Sequence, residues 1–177
     1  LTQKDGYSDE LATYYQQFGF NRWYDELDTG DADQVPAEPE QKNYQLVLNQ
    51  TDFDLWLNRI RQCDKFAIDT ETTSVNYMNA NLVGISLCIE PGEACYIPVK
   101  HDYEEAPEQL DKTMVLESLK PVLENPVIGK IGQNIKYDAH IFYGEGIKMA
   151  GIAEDSMLQS YVLNSTATRH NMDDLAK

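Results

Sequence analysis

The sequence predicts a mixed α/β fold, a sheet flanked by helices, on three observations. Two β-like apolar runs, 82–89 and 94–99, are joined across Pro91-Gly92, which reads as a hairpin. Apolar residues then recur at helical spacing, with Phe53, Trp56, Leu57 and Ile60 at i, i+3, i+4 and i+7. Beyond residue 110 the pattern alternates helix, strand, helix, which suits parallel additions to that sheet.

In chain order, Leu11, Tyr15 and Phe18 make an amphipathic stripe, with Ser8 as N-cap and Gly19 as terminator. One short helix with exposed aromatics cannot fold alone, so 1–24 read as the end of a preceding domain. Residues 25–41 hold seven acids, Asp25 to Glu40, with no basic residue before Lys42, and Pro36 and Pro39 interrupt them. That composition is a solvated, extended or disordered linker. Residues 42–177 read as the packed domain. A strand is expected over 44–48, a helix capped by Asp52, strands over 66–70, 82–89 and 94–99, and a helix over 112–124. A strand over 127–131 and a helix over 133–143 follow, then an extended segment from Ile152 and a helix capped by Asp155.

The chain has 177 residues, 42% of them hydrophobic, which is enough for one ordinary core plus a tail. No apolar run approaches the ~20 residues needed to cross a bilayer, so no membrane partner is expected. Cys63, Cys88 and Cys95 are odd in number and lack CxxC spacing, which argues against disulfides and structural zinc and for a reducing, cytoplasmic setting. Cys88 and Cys95 read as small buried hydrophobes. The net charge of −16 argues against gripping nucleic acid through bulk electrostatics. Divalent cations bound at an acidic site would offset part of that charge locally. Because the sequence opens at Leu1, it is expected to be a piece of a longer protein.

Two acidic features carry possible chemistry. Side chains alternate along a strand, so Asp69 and Glu71 project to one face and Thr70 to the other. Two carboxylates about 7 Å apart repel unless they share a cation, and oxygen ligands suit Mg²⁺ or Mn²⁺. The bland alternative is a solvated strand end. On the helix expected over 133–143, Asn134 and Asp138 fall at i and i+4, with Tyr137 beside them, at the same edge of the sheet. Taken alone, Asp138 could be an ordinary surface acid. His101, His140 and His170 have no zinc-protease spacing and read as surface or satisfied residues.

The strings FAIDTETTSV and GQNIKYD resemble the first and second exonuclease motifs of the proofreading domain of bacterial DNA polymerase I, family A. The similarity continues in order through NLVGISLCIEPGEACYIPVKHDY, LKPVLEN, MLQSYVLNS and TRHNMDDLAK, and FGFNRW resembles the end of the preceding 5′-nuclease domain. The resemblance implies the RNase H-like fold of the DEDD exonucleases. It implies two divalent cations (Mg²⁺, or Mn²⁺ or Zn²⁺), with Asp69 bridging both, Glu71 on one and Asp138 on the other. It further implies that Thr72, Val75, Asn134 and Tyr137 bind the single-stranded 3′ end of DNA, with Arg169 as a phosphate contact. Its partners would be that strand and the remaining domains of a parent polymerase working in replication and repair at the bacterial nucleoid. The third motif of the family, YxxxD, does not occur after Asp138, since Tyr161 is followed by Val, Leu, Asn and Ser. The domain is therefore expected to be C-terminally truncated and by itself inactive. The alternative expectation is a catalytically degenerate, structural domain of such a polymerase.

Overall fold

In a computed structural model the protein is described over residues 9–20, 24, 42–166 and 169–175. The chain divides into two compact units, Leu1–Glu40 and Gln41–Lys177. In the first unit, α1 (Asp9–Gln17) ends at Gly19, whose φ of 70° only glycine adopts without strain. Phe20 N–H donates to Tyr15 O and Gly19 N–H to Gln16 O, closing the helix as a Schellman cap. Ser8, Trp23 and the stretch expected to be a linker lie outside the described residues.

The second unit is a six-stranded mixed sheet with helices against it. Its elements are β1 (Asn43–Leu46), α2 (Gln50–Gln62), β2 (Lys65–Thr72), β3 (Leu82–Glu90), β4 (Glu93–Pro98) and α3 (Lys112–Leu123). They are followed by β5 (Gly129–Gly132), α4 (Ile135–Gly144), β6 (Ile152–Asp155), α5 (Ser156–Leu163) and α6 (Met172–Leu175). The strand order is β1-β4-β3-β2-β5-β6. Strands β2, β3 and β4 form an antiparallel meander, while β1, β5 and β6 pair in parallel. This is the mixed sheet that the hairpin and the later alternation predict.

Alternation along the strands sorts the two faces. Phe66, Ile68, Ile85, Leu87, Cys95 and Ile97 are buried beneath the apolar stripes of α2 and α3. The opposite face carries Ala67, Asp69 and Glu71 on β2, in register with Cys88, Ser86 and Gly84 on β3. Cys95 is buried as expected, whereas Cys88 is only half-buried because it belongs to this second face.

Three local expectations are corrected, each for a hydrogen-bonding reason. Asn49, rather than Asp52, caps α2, since the Asn49 side chain accepts from Asp52 N–H. Asp52 sits in the first turn, and its carboxylate accepts from the Asn49 amide. Strand β5 starts at Gly129 rather than Val127, because Val127 N–H turns back to Asn125 Oδ1 at 2.9 Å and the Ile128 carbonyl is taken by the Lys130 ammonium at 2.9 Å. Helix α4 starts at Ile135, with Asn134 outside it in the left-handed region at φ 57°.

Lys130 is fully buried on β5, and burial pulls its ammonium down to about 8. Its folded value lies below the unfolded one near 10.4. Between those values the unfolded chain holds a proton that the folded chain has released, so this lysine makes stability rise with pH. Lys130→Met is expected to remove that rise, read as the difference in unfolding free energy from wild type between about pH 7.5 and 9.5. An unchanged slope would refute the assignment.

Candidate metal and strand-end site

Asp69 and Glu71 leave the open face of β2 at the end of the strand, where pairing with β3 slips by one residue between Glu71 and Thr72. Burial pushes the Asp69 carboxyl up, and the neighbouring Glu71 charge adds to the push. Glu71 itself is exposed, with no hydrogen-bond or ion-pair partner among the described residues.

Asp138 is 2% exposed, so it is not the ordinary helix-surface acid that a lone i+4 position would allow. Its Oδ1 accepts from Thr70 N–H at 2.9 Å and from Thr70 Oγ1 at 2.6 Å. Burial, helped by the nearby Asp69 charge, holds its carboxyl up at about 6 against those hydrogen bonds. Pairing of β2 with β5 stops at Ala67, so the Thr70 N–H is free at that edge and Asp138 meets the strand there, close enough for the Asp69 charge to act on it. Among the described residues no three His, Cys, Asp or Glu side chains close on a common point. The donor set nevertheless fits a hard divalent cation: it is all oxygen, mutually repulsive, and includes one unpartnered carboxylate.

The strand-end residues expected to bind DNA fall into two groups. Thr72 and Tyr137 are brought together, with Thr72 Oγ1 2.6 Å from Tyr137 Oη, and Tyr137 Oη donates to Ser74 O at 2.5 Å. This clasp ties α4 to the loop after β2, from which Val75 projects almost fully exposed (95%). Asn134 stands at the start of α4 with its N–H donating to Asp155 Oδ1 at 3.1 Å. Arg169 is exposed and has no hydrogen bond or ion pair among the described residues. Beside it His170 is buried and satisfied, with Nδ1 2.7 Å from Ser160 Oγ and its ring stacked on Tyr161 at 3.8 Å.

Sequence reasoning misses two supports of this site. Asp155 caps α5 as its position predicts, with Oδ1 accepting from Met157 and Leu158 N–H. The same carboxylate also accepts from Asn134 and Ile135 N–H, so it caps α4 as well. Only the parallel pairing of β6 with β5 brings these helix starts together. The second support is Tyr96, which shares the open face with Asp69 through Ser86. Its hydroxyl lies 2.5 Å from His101 Nε2, and it occupies the space that a Cβ on Gly84 would need. Gln109 holds His101 in turn, through both backbone groups of that residue. No spacing rule connects Gly84, Tyr96, His101 and Gln109.

An RNase H-like sheet with an acidic strand end of this kind defines a class, and the family comparison agrees: residues 44–177 match the family model described as 3′-5′ exonuclease, and the chain belongs to that family. Its curated relatives are DNA polymerase I proteins. That of Pseudomonas aeruginosa is 43% identical over 176 residues, spanning 94% of this chain and 19% of the relative. That of Chloroflexus aurantiacus is 36% identical over 143 residues, spanning 80% and 14%. The chain thus spans a fifth or less of the length of these relatives. Among solved structures, the POL domain of Pol1 from M. smegmatis, in complex with DNA primer-template and dNTP, is 20% identical. It has a TM-score of 0.57 and covers 74% of this chain and 21% of that one. Escherichia coli RNase D is 19% identical with a TM-score of 0.50, covering 67% and 29%. These likenesses show the fold.

Asp155→Ala removes the acceptor for four backbone N–H groups at two helix starts. It is expected to cost about 2–4 kcal/mol of unfolding free energy in urea titrations. Asp155→Asn, which keeps one acceptor oxygen, should cost less. Equal and negligible losses in both variants would remove Asp155 from the support of α4.

Proposed function

We propose that this chain carries part of the 3′→5′ proofreading exonuclease domain of a bacterial DNA polymerase I. In this reading the whole domain cleaves the terminal phosphodiester at a single-stranded 3′ end and releases nucleoside 5′-monophosphates, while this chain by itself is inactive. The observation that carries the reading is the pair Asp69 and Glu71 on one strand face, immediately before the Thr72–Ser74–Tyr137 clasp. A charged site and a strand-binding loop are thereby joined within a few residues.

Asp69, Glu71 and Asp138 would hold two divalent cations, Mg²⁺ or a close substitute such as Mn²⁺ or Zn²⁺. Such cations supply charge stabilisation for the attacking and leaving oxygens of an in-line displacement. The side chains then divide the remaining work. Asp69 and Glu71 present carboxylates on the open face, while the two Thr70 donors keep the Asp138 carboxylate fixed at the strand edge beside them. The Tyr137 hydroxyl is already engaged by Ser74 O and Thr72, so this tyrosine offers the strand its ring face. Val75 would meet the terminal base as an apolar wedge, Asn134 would line the strand groove, and Arg169 would contact a phosphate. Residues 1–24 and 25–41 would belong to a preceding 5′-nuclease domain and its linker. The polymerase activity, DNA and domain partners of the parent protein, and its place in the cytoplasm, belong to the same proposal.

One observation favours a second reading. The three acids do not close on one point among the described residues, which suits a catalytically silent structural domain. Release of mononucleotides from a 5′-labelled single strand in Mg²⁺ separates the two, assayed on this chain and on a longer chain that continues past Lys177. Asp69→Ala is expected to lower that release more than about a hundredfold. It should also abolish Mn²⁺ binding by calorimetry, with the thermal midpoint maintained. Undiminished release in the variant would refute the active-site assignment, and no release from either wild-type chain would favour the silent reading.

A further inference from the structure

The loop that follows the acidic strand is built rather than slack. Thr73 N–H donates to Asn81 O, Asn81 N–H returns to Thr73 Oγ1, and Asn76 organises the turn by accepting from Met78 N–H. This frame presents apolar side chains to solvent, with Val75 95%, Met78 75% and Tyr77 42% exposed. Tyr77 is nonetheless fixed in place, since its ring stacks on that of His140 at 4.4 Å and 11°. The stack joins the loop to the outer face of α4.

That outer face has a composition unlike the rest of this acidic chain. Lys136, His140 and Tyr143 fall at i, i+4 and i+7 and are all exposed. They border a groove of about 320 Å³ completed by Lys148 and Met149. Neither lysine ion-pairs among the described residues. The acids of α4 and its following turn are neutralised or hidden, because Asp138 is buried and Glu145 pairs with Lys112 at 2.5 Å. Residues 72–89 carry no Asp, Glu, Lys or Arg at all. A polyanion repelled by a chain of net charge −16 therefore meets an uncharged ridge leading to an aromatic pair and then two free ammonium groups.

We infer that the Tyr77–His140 stack and the Lys136/Lys148 groove form a track for the single strand that lies upstream of the 3′-terminal nucleotide, with a base against Tyr77 and phosphates beside the lysines. The inference rests on the exonuclease reading and extends it past the terminal nucleotide. Three features support it. The ridge is continuous with the Thr72–Ser74–Tyr137 clasp, aromatic faces accept any base, and the two lysines, unpaired although the Glu124 carboxylate accepts the Lys148 N–H, match a phosphate backbone.

The test is binding of fluorescent oligothymidylates to the 177-residue chain in Ca²⁺. This ion supplies charge to oxygen ligands with looser geometry than Mg²⁺, so binding is read apart from cleavage. The dinucleotide is expected to bind wild type and Tyr77→Ala alike. The hexanucleotide should bind Tyr77→Ala roughly tenfold or more weakly, with Tyr77→Phe close to wild type. An abasic residue at the stacked position should weaken wild type and leave Tyr77→Ala unaffected. Replacing Lys136 and Lys148 by Ala should lower the salt slope of hexanucleotide binding by roughly 0.7 for each phosphate left without a cation. Equal hexanucleotide affinity in Tyr77→Ala, or an unchanged salt slope in the lysine variant, overturns the track and leaves the exonuclease reading standing. Failure of wild type to bind even the dinucleotide overturns both.

Discussion

The buried carboxylate of Asp138, accepting both Thr70 donors, is the interaction on which the site depends. A carboxyl group this deep is costly to keep, and its burial is offset by two short hydrogen bonds from one residue. Those bonds fix α4 against β2 in rotation as well as distance. Once α4 is set, the Tyr137 hydroxyl reaches Ser74 O, and His140 on the outer surface reaches Tyr77. A single pairing in the core thus positions the loop after the acidic strand and the helix face beside it.

The start of the helix is held by a second constraint, Asp155. Two helices begin where β5 and β6 end, and each start leaves unpaired N–H groups. One carboxylate serves both, which is possible only because the strands are parallel and adjacent. Asn134 takes a left-handed conformation to deliver its N–H to that carboxylate, a conformation asparagine tolerates better than most residues. Its place at the mouth of α4 follows from this capping geometry rather than from a helical face.

Charge is distributed along the same lines. The second face of the sheet carries Asp69 and Glu71 at its rim, above a groove of about 410 Å³ lined by apolar groups that include Ile131, Met172 and Leu175. Acids concentrated at a strand end suit cations, and the uncharged run beside them suits bases more than phosphates. The strong net negative charge is therefore compatible with nucleic-acid chemistry at this edge, although it opposes nonspecific adhesion elsewhere.

The sequence by itself determined the elements whose signal is local. The stripe of Phe53, Trp56, Leu57 and Ile60, the β2 alternation that puts Asp69 and Glu71 on one side, and the turn at Pro91-Gly92 all depend on neighbours within a few residues. The motifs carrying Asp69, Glu71 and Asp138 were equally legible, because the residue types and their order are written in the chain. Only the tertiary structure decided what depends on distant partners. Asn125 and Lys130 delayed the start of β5 by taking the Val127 N–H and the Ile128 carbonyl, Asp155 reached back to cap α4, and Asp138 lies buried against Thr70 rather than solvated on a helix surface. Tyr77 and His140 carry no mutual signal in sequence, since a stack between a loop and a helix obeys neither the period of a strand nor that of a helix. Periodicity records which way a side chain points, whereas its partner is fixed only when the sheet brings distant segments together.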